Sequence, residues 1–168
     1  HLAGPSMRVV IGVPYRDLVH ATFAQCLAGL VGYSVARGQA IQCVFTDGTL
    51  IAPQREDVVE QALEMKADYI LWIDSDMAFP VYALESLLKH QKNIVGVNYC
   101  TRREPCYTTA FRDELLENIY TDDTTTGLEE VSSCGMGLML VNMDVYLTLP
   151  QPWFEVKYDR KTKSTTGE

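Results

Sequence analysis

The chain alternates short apolar runs with longer stretches whose apolar residues recur every three or four positions. Arg8-Val9-Val10-Ile11-Gly12-Val13-Pro14 is rich in β-branched residues and stops at a proline, so it reads as a buried strand. From Asp17 to about Arg37, Leu18, Val19, Phe23, Leu27, Leu30 and Val31 fall at helical spacing, and Gly38 supplies the stop. Ile41 to Thr46 is a second strand closed by Asp47-Gly48, and Pro53 to Lys66 a second helix with Val58, Val59, Ala62 and Leu63 on one face. Tyr69 to Ile73 is apolar on both faces, Pro80 opens a helix to about His90, and Asn93 to Val97 is a fourth strand. A β-α-β-α-β-α-β series predicts a mostly parallel sheet covered by helices.

The second half differs. Asn118–Thr121 and Leu128–Val131 flank Asp122-Asp123-Thr124-Thr125-Thr126-Gly127, which predicts a small antiparallel hairpin. Met136 to Asn142 reads as another apolar strand, followed by a short helix near Asp144–Leu149 and a loop at Gln151-Pro152-Trp153-Phe154. The tail from Lys157 to Glu168 is polar and reads as mobile. His1 to Ser6 reads as a cloning scar before a native Met7, so residues 7–168 form the expected single domain.

The bulk numbers narrow the function. A length of 168 residues suits one domain with a sizeable core. A net charge of −8 argues against a face for nucleic-acid backbone, though an anionic small ligand stays possible where a metal bridges it to carboxylates. No apolar run approaches the roughly 18 residues of a transmembrane segment. Five cysteines, an odd count without C-x-x-C, fit a reduced intracellular protein with buried thiols; zinc is a weaker reading, because His20 and His90 lack ligand spacing.

Ligands of open α/β sheets bind at the carboxyl ends of the strands. Three such ends are polar here: Pro14-Tyr15-Arg16-Asp17, Thr46-Asp47-Gly48 and Asp74-Ser75-Asp76. An extended backbone would aim Asp74 and Asp76 to one side, and two adjacent carboxylates suit a hard divalent cation such as Mg²⁺ or Mn²⁺. Capping is the plain alternative. Arg55, in the first turn of the second helix, opposes the helix dipole unless it faces an anion; that anion is a carboxylate such as Asp74 or a ligand phosphate, and a solvated surface arginine is the alternative. Asp47 beside a glycine is a turn residue or a ribose or base contact. Cys134-Gly135-Met136-Gly137 is a bulge, or a place where backbone closely approaches a substrate. Arg102 and Arg103 are anion contacts or surface charges, and Trp153 is a sugar platform or a loop anchor. No Ser/His/Asp or Cys/His catalytic set stands out.

The order of these pieces resembles the GT-A glycosyltransferases, specifically the family 2-like group of bacteria and phages. The resemblance is carried by Val9 to Pro14, Arg55, Tyr69-Ile70-Leu71-Trp72-Ile73-Asp74-Ser75-Asp76, Ile94 to Tyr99 with Thr101-Arg102-Arg103, Gly135 to Leu140, Pro152-Trp153-Phe154 and Gly167-Glu168. It implies a Rossmann-like nucleotide-diphospho-sugar transferase fold and a UDP-linked donor. It also implies Mn²⁺ or Mg²⁺ on Asp76 with Asp74 nearby, and a hydroxyl acceptor on the side of Gly135, Met136, Gly137 and Trp153. Pro14, Tyr15, Arg16, Asp47, Arg55 and Ser75 complete the implied donor site. A cytoplasmic location, in a bacterium or a phage-infected cell, goes with it. That family continues past a Gly-Glu with an Asp base and a metal-binding His; the chain stops at Glu168, so a C-terminal truncation is expected, with Glu168 (or less so Glu155) the late carboxylate left to serve as base. The rival readings are a nucleotidyltransferase and a donor-binding module without transfer.

Overall fold

The computed structural model describes residues 6–101, 104–112, 117–159 and 164–166. In chain order the elements are β1 (Arg8–Tyr15), α1 (Ala21–Ala36), β2 (Ala40–Asp47), α2 (Ile51–Glu64), β3 (Tyr69–Ile73), α3 (Ala83–Lys89), β4 (Ile94–Gly96), β5 (Ala110–Phe111), β6 (Ser133–Cys134), β7 (Leu138–Asn142), α4 (Met143–Thr148), β8 (Lys157–Asp159) and β9 (Ser164–Thr166). Five strands form one sheet in the order β2-β1-β3-β7-β4. β1 lies parallel to both β2 and β3, whereas β7 is antiparallel to β3 on one side and to β4 on the other. β4 therefore runs with the first three strands, and β7 is wedged in against the common direction. The architecture is a mixed α/β sheet flanked by helices, consistent with a Rossmann-like fold.

Period-2 alternation divides the core into two layers. Val9, Ile11 and Val13 of β1, Leu71 and Ile73 of β3, and Leu138 and Leu140 of β7 face a layer closed by Phe23, Leu27 and Leu30 of α1 and Leu84 and Leu87 of α3. The alternate residues Val10, Ile70, Trp72, Met139 and Val141 face a second layer with Val58, Val59 and Ala62 of α2 and Tyr146 of α4. Fully burying one such aliphatic side chain contributes about 1.5–3 kcal/mol, so two layers of this size dominate the stability. Gly12 is fixed by this packing: a Cβ there would lie 2.7 Å from Val58 and 3.0 Å from the Trp72 ring.

Three expectations need correction. The hairpin across 118–131 does not form. Asn118 bridges Phe111, no strand covers 128–131, and the small antiparallel pair joins β5 to β6, far apart in sequence. The Asn98 side chain explains the choice: its Oδ1 accepts the Thr109 and Ala110 N–H groups at 3.1 and 3.0 Å, and its Nδ2 donates to Ile119 O at 2.7 Å. Part of the polar tail is also paired, as β8 and β9 run antiparallel. Finally, the thiols are not buried: Cys43, Cys100 and Cys106 are exposed, Cys26 and Cys134 half-buried, and all five are free. No helix among the described residues is long and apolar enough to cross a membrane.

Candidate functional site

A cleft of about 940 Å³ opens at the carboxyl ends of β1, β2 and β3. Pro14, Tyr15 and Arg16 reach it from β1, and Asp74, Ser75 and Asp76 from β3. Gly48 and Thr49 follow β2, and Gln54 and Arg55 belong to α2. The far wall comes from Tyr99, Thr109, Phe111 and the segment Ser133–Met136. Nine residues named from the sequence for donor, acceptor or metal contact therefore meet in one place: Pro14, Tyr15, Arg16, Arg55, Asp74, Ser75, Asp76, Gly135 and Met136.

The two carboxylates arrive by a turn rather than by extension. The sheet reaches as far as Asp74, whose N–H donates to Gly137 O at 3.0 Å. The chain then folds back, with Met77 N–H donating to Asp74 O at 3.1 Å. Ser75 O accepts the His20 N–H at 3.0 Å, which ties this turn to the entry of α1. Both carboxylates stay half-buried at the cleft.

Arg55 is neither solvated nor at the surface. Its side chain is 3% exposed, and its Nη2 lies 3.7 Å from Asp74 Oδ1. The guanidinium sits 6.0 Å from the ring centres of both Trp72 and Phe154, at the outer limit of a cation–π contact. Those rings meet edge to face at 5.6 Å. A buried cation needs an anion, and Asp74 supplies one at the head of the strand that carries Trp72. Tyr146 closes the layer beneath: its hydroxyl accepts the Trp72 indole N–H at 2.9 Å, and burial pushes its ionisation up to about 12.

The glycines at 135 and 137 have a visible cause. A Cβ on Gly137 would stand 2.6 Å from Tyr99 Cζ, and one on Gly135 would overlap the Tyr99 hydroxyl and meet Thr109 Cβ at 3.0 Å. The Gly137 N–H donates to Tyr99 Oη at 2.9 Å. The close approach predicted for this segment is thus made to Tyr99. Gly137 itself is buried behind the wall.

Two further named residues, Asp47 and Trp153, lie elsewhere. Asp47 is exposed at the end of β2, paired in register with Tyr15, and does not line the cleft. Trp153 anchors its loop, its indole N–H donating to Tyr146 O at 2.9 Å and to Leu149 O at 3.2 Å. Glu168, like Arg102, Arg103 and Gly167, falls outside the described residues. Cys134 lines the cleft, but burial pushes its thiol up, so it is not an activated nucleophile. Sequence reasoning gave no site role to Tyr99, Gln54, Thr109 or Phe111. Only Tyr99 had a signal: two glycines flanking one residue leave a groove that a ring must fill.

Among the described residues no group of three or more His, Cys, Asp or Glu side chains could hold a metal ion. Two carboxylates at the cleft match the other mode of binding Mg²⁺, in which one or two protein carboxylates act together with substrate phosphates.

No protein-family model and no curated protein matches the sequence. Among solved structures, A197 from STIV shares the fold, with a TM-score of 0.59 and 20% identity over 89% of this chain and 72% of that one. A glycosyltransferase involved in the glycosylation of the major capsid of PBCV-1 aligns at 14% identity and a TM-score of 0.40, over 89% of this chain and 69% of that one. The first likeness speaks to the fold alone; the second is too loose to bear on function.

Proposed function

We propose that the cleft is the donor site of a GT-A-type glycosyltransferase that moves a sugar from a nucleotide diphosphate, UDP favoured, to a hydroxyl acceptor. The observation that carries this reading is the meeting of Tyr15, Arg16, Arg55, Asp74 and Asp76 at the carboxyl ends of three parallel strands. An aromatic ring suits a base, and the cationic side chains suit phosphates. The paired carboxylates would repel a diphosphate unless a cation stood between them.

Asp76, with Asp74, would hold Mn²⁺ or Mg²⁺. The bound ion would neutralise charge growing on the departing diphosphate. The chain's own contributions are orientation and exclusion of water. Arg55 keeps Asp74 in place from its buried position under the turn. Tyr99 braces the opposite wall through Gly137. In an inverting transfer the acceptor hydroxyl attacks the anomeric carbon, its proton passes to a carboxylate base, and the nucleoside diphosphate leaves. Glu168 is the residue nominated for that base from sequence.

The test is release of nucleoside diphosphate from a panel of nucleotide-sugars in Mn²⁺, with water or simple glycosides as acceptor. Release of UDP from one donor supports the reading. Release of sugar 1-phosphate, with the nucleoside monophosphoryl group passing to the acceptor, would assign nucleotidyl transfer instead, and binding with no release from any donor would leave a donor-binding module.

A further inference from the structure

Residues 99–101 and 104–109 form the two arms of a strap whose roots, Tyr99 and Thr109, line the cleft. Cys100 pairs with Thr108 across an antiparallel bridge. The Thr101 N–H donates to Tyr107 O at 2.7 Å, and the Tyr107 N–H donates to Thr101 Oγ1 at 3.2 Å. With position 100 opposite 108, position 106 is the diagonal neighbour on the same face. The Cys100 thiol beside it pushes the Cys106 thiol up. Both cysteines are exposed. The two antiparallel arms thus carry two exposed cysteines at diagonal positions on one face.

We propose that Cys100 and Cys106 form a reversible disulfide that fastens the strap carrying Tyr99 and Thr109 into the cleft wall. The oxidant is a small-molecule disulfide such as glutathione disulfide. The thiolate of one cysteine attacks a sulfur of that disulfide and expels one glutathione thiolate, leaving a mixed disulfide. The second cysteine then attacks the protein-side sulfur and expels the second glutathione. The two protein thiols are oxidised, one glutathione disulfide is reduced to two glutathiones, and the two thiol protons end on those glutathiones.

The consequence reaches the cleft through short links. Tyr99 Oη accepts the Gly137 N–H, and the Tyr99 N–H donates to Thr109 Oγ1 at 3.4 Å. Closing the strap removes freedom from the segment that sets both residues, so local opening of the wall becomes rarer.

The full chain is equilibrated in glutathione buffers of graded redox poise, quenched with a thiol-blocking reagent and digested with trypsin. Arg102 and Arg103 lie between the two cysteines, so trypsin cuts the loop, and a disulfide leaves peptides 93–102 and 104–112 joined. The joined pair is expected in oxidising buffer, lost on reduction and absent in Cys106→Ser. Amide exchange at Gly137 is expected to slow by about tenfold in the oxidised chain, and to keep the reduced-state rate in Cys106→Ser under the same buffer. Thiols lost only as mixed glutathione adducts, or joined to Cys26, Cys43 or Cys134, would overturn the pairing. A joined pair with unchanged exchange at Gly137 would overturn the link to the cleft. Neither readout depends on the identity of the cleft's ligand.

Discussion

Gly137→Ala probes the brace behind the cleft. The new methyl carbon would lie 2.6 Å from Tyr99 Cζ and 2.7 Å from its hydroxyl oxygen. Carbon atoms settle at about 3.5–4.0 Å, so the ring must retreat by roughly an ångström. Overpacking of this kind costs about 1–3 kcal/mol. The retreat also breaks the 2.9 Å hydrogen bond from Gly137 N–H to Tyr99 Oη, a further loss of about 1 kcal/mol. Together the substitution should destabilise the fold by about 2–4 kcal/mol. Backbone strain adds nothing, since Gly137 does not adopt a positive φ. The assay is urea unfolding of wild type, Gly137→Ala, Tyr99→Ala and the double variant. In the Tyr99→Ala background the obstacle is gone, and Gly137→Ala should cost under about 0.5 kcal/mol, leaving a coupling of about 1.5 kcal/mol or more between the two sites. Equal costs with and without the Tyr99 ring would refute the reasoning.

Other outcomes follow from the same geometry. Arg55→Lys keeps a charge but loses the planar fork that sits beside Trp72 and Phe154 and reaches Asp74, so nucleotide affinity measured by calorimetry should fall by about tenfold or more in a folded chain. Trp153→Phe removes the indole donor to Tyr146 O and Leu149 O; it should lower stability by about 1–2 kcal/mol in urea and leave nucleotide affinity unchanged. Tyr146 ionises near 12 when folded against 10.0 for an ordinary tyrosine, so the unfolded chain releases this proton first. Stability should therefore fall as pH rises from 10 towards 12, by up to about 1.4 kcal/mol per pH unit from this group, and Tyr146→Phe should show a shallower fall.

The sheet was legible where both faces of a strand are apolar. Tyr69–Ile73 is bounded as the sequence indicates, and β1 differs only by Tyr15. Strand direction was not legible. Met139 and Leu140 look alike whichever way β7 runs, so its antiparallel insertion between β3 and β4 carries no local mark. The misplaced hairpin has a different cause. Asp122 does make a tight turn, its carboxylate accepting the Thr124 N–H at 2.9 Å, but Asn98 ties the flanking chain elsewhere, its Nδ2 donating to Ile119 O. Side-chain capture of backbone groups across ten or more residues leaves no periodic signal.

At the site, the residue types were readable and their partners only in part. Asp74 and Asp76 were legible as a pair because they end a buried strand; that they converge through a turn was not. Arg55 was legible as a cation that needs an anion, and burial against Asp74 selects between its readings. Trp153 and Asp47 could not be placed from sequence, because whether a ring or a carboxylate at a loop faces a cleft depends on the loop's path.

The most direct measurement is calorimetric titration of the chain with UDP in Mn²⁺, in chelator, and with Asp76→Ala in Mn²⁺. Binding in Mn²⁺ that weakens by about tenfold or more on chelation and in the folded Asp76→Ala variant is the expected result. Equal binding with the metal chelated, or undiminished Mn²⁺-dependent binding by Asp76→Ala, would contradict a metal-held diphosphate at this turn.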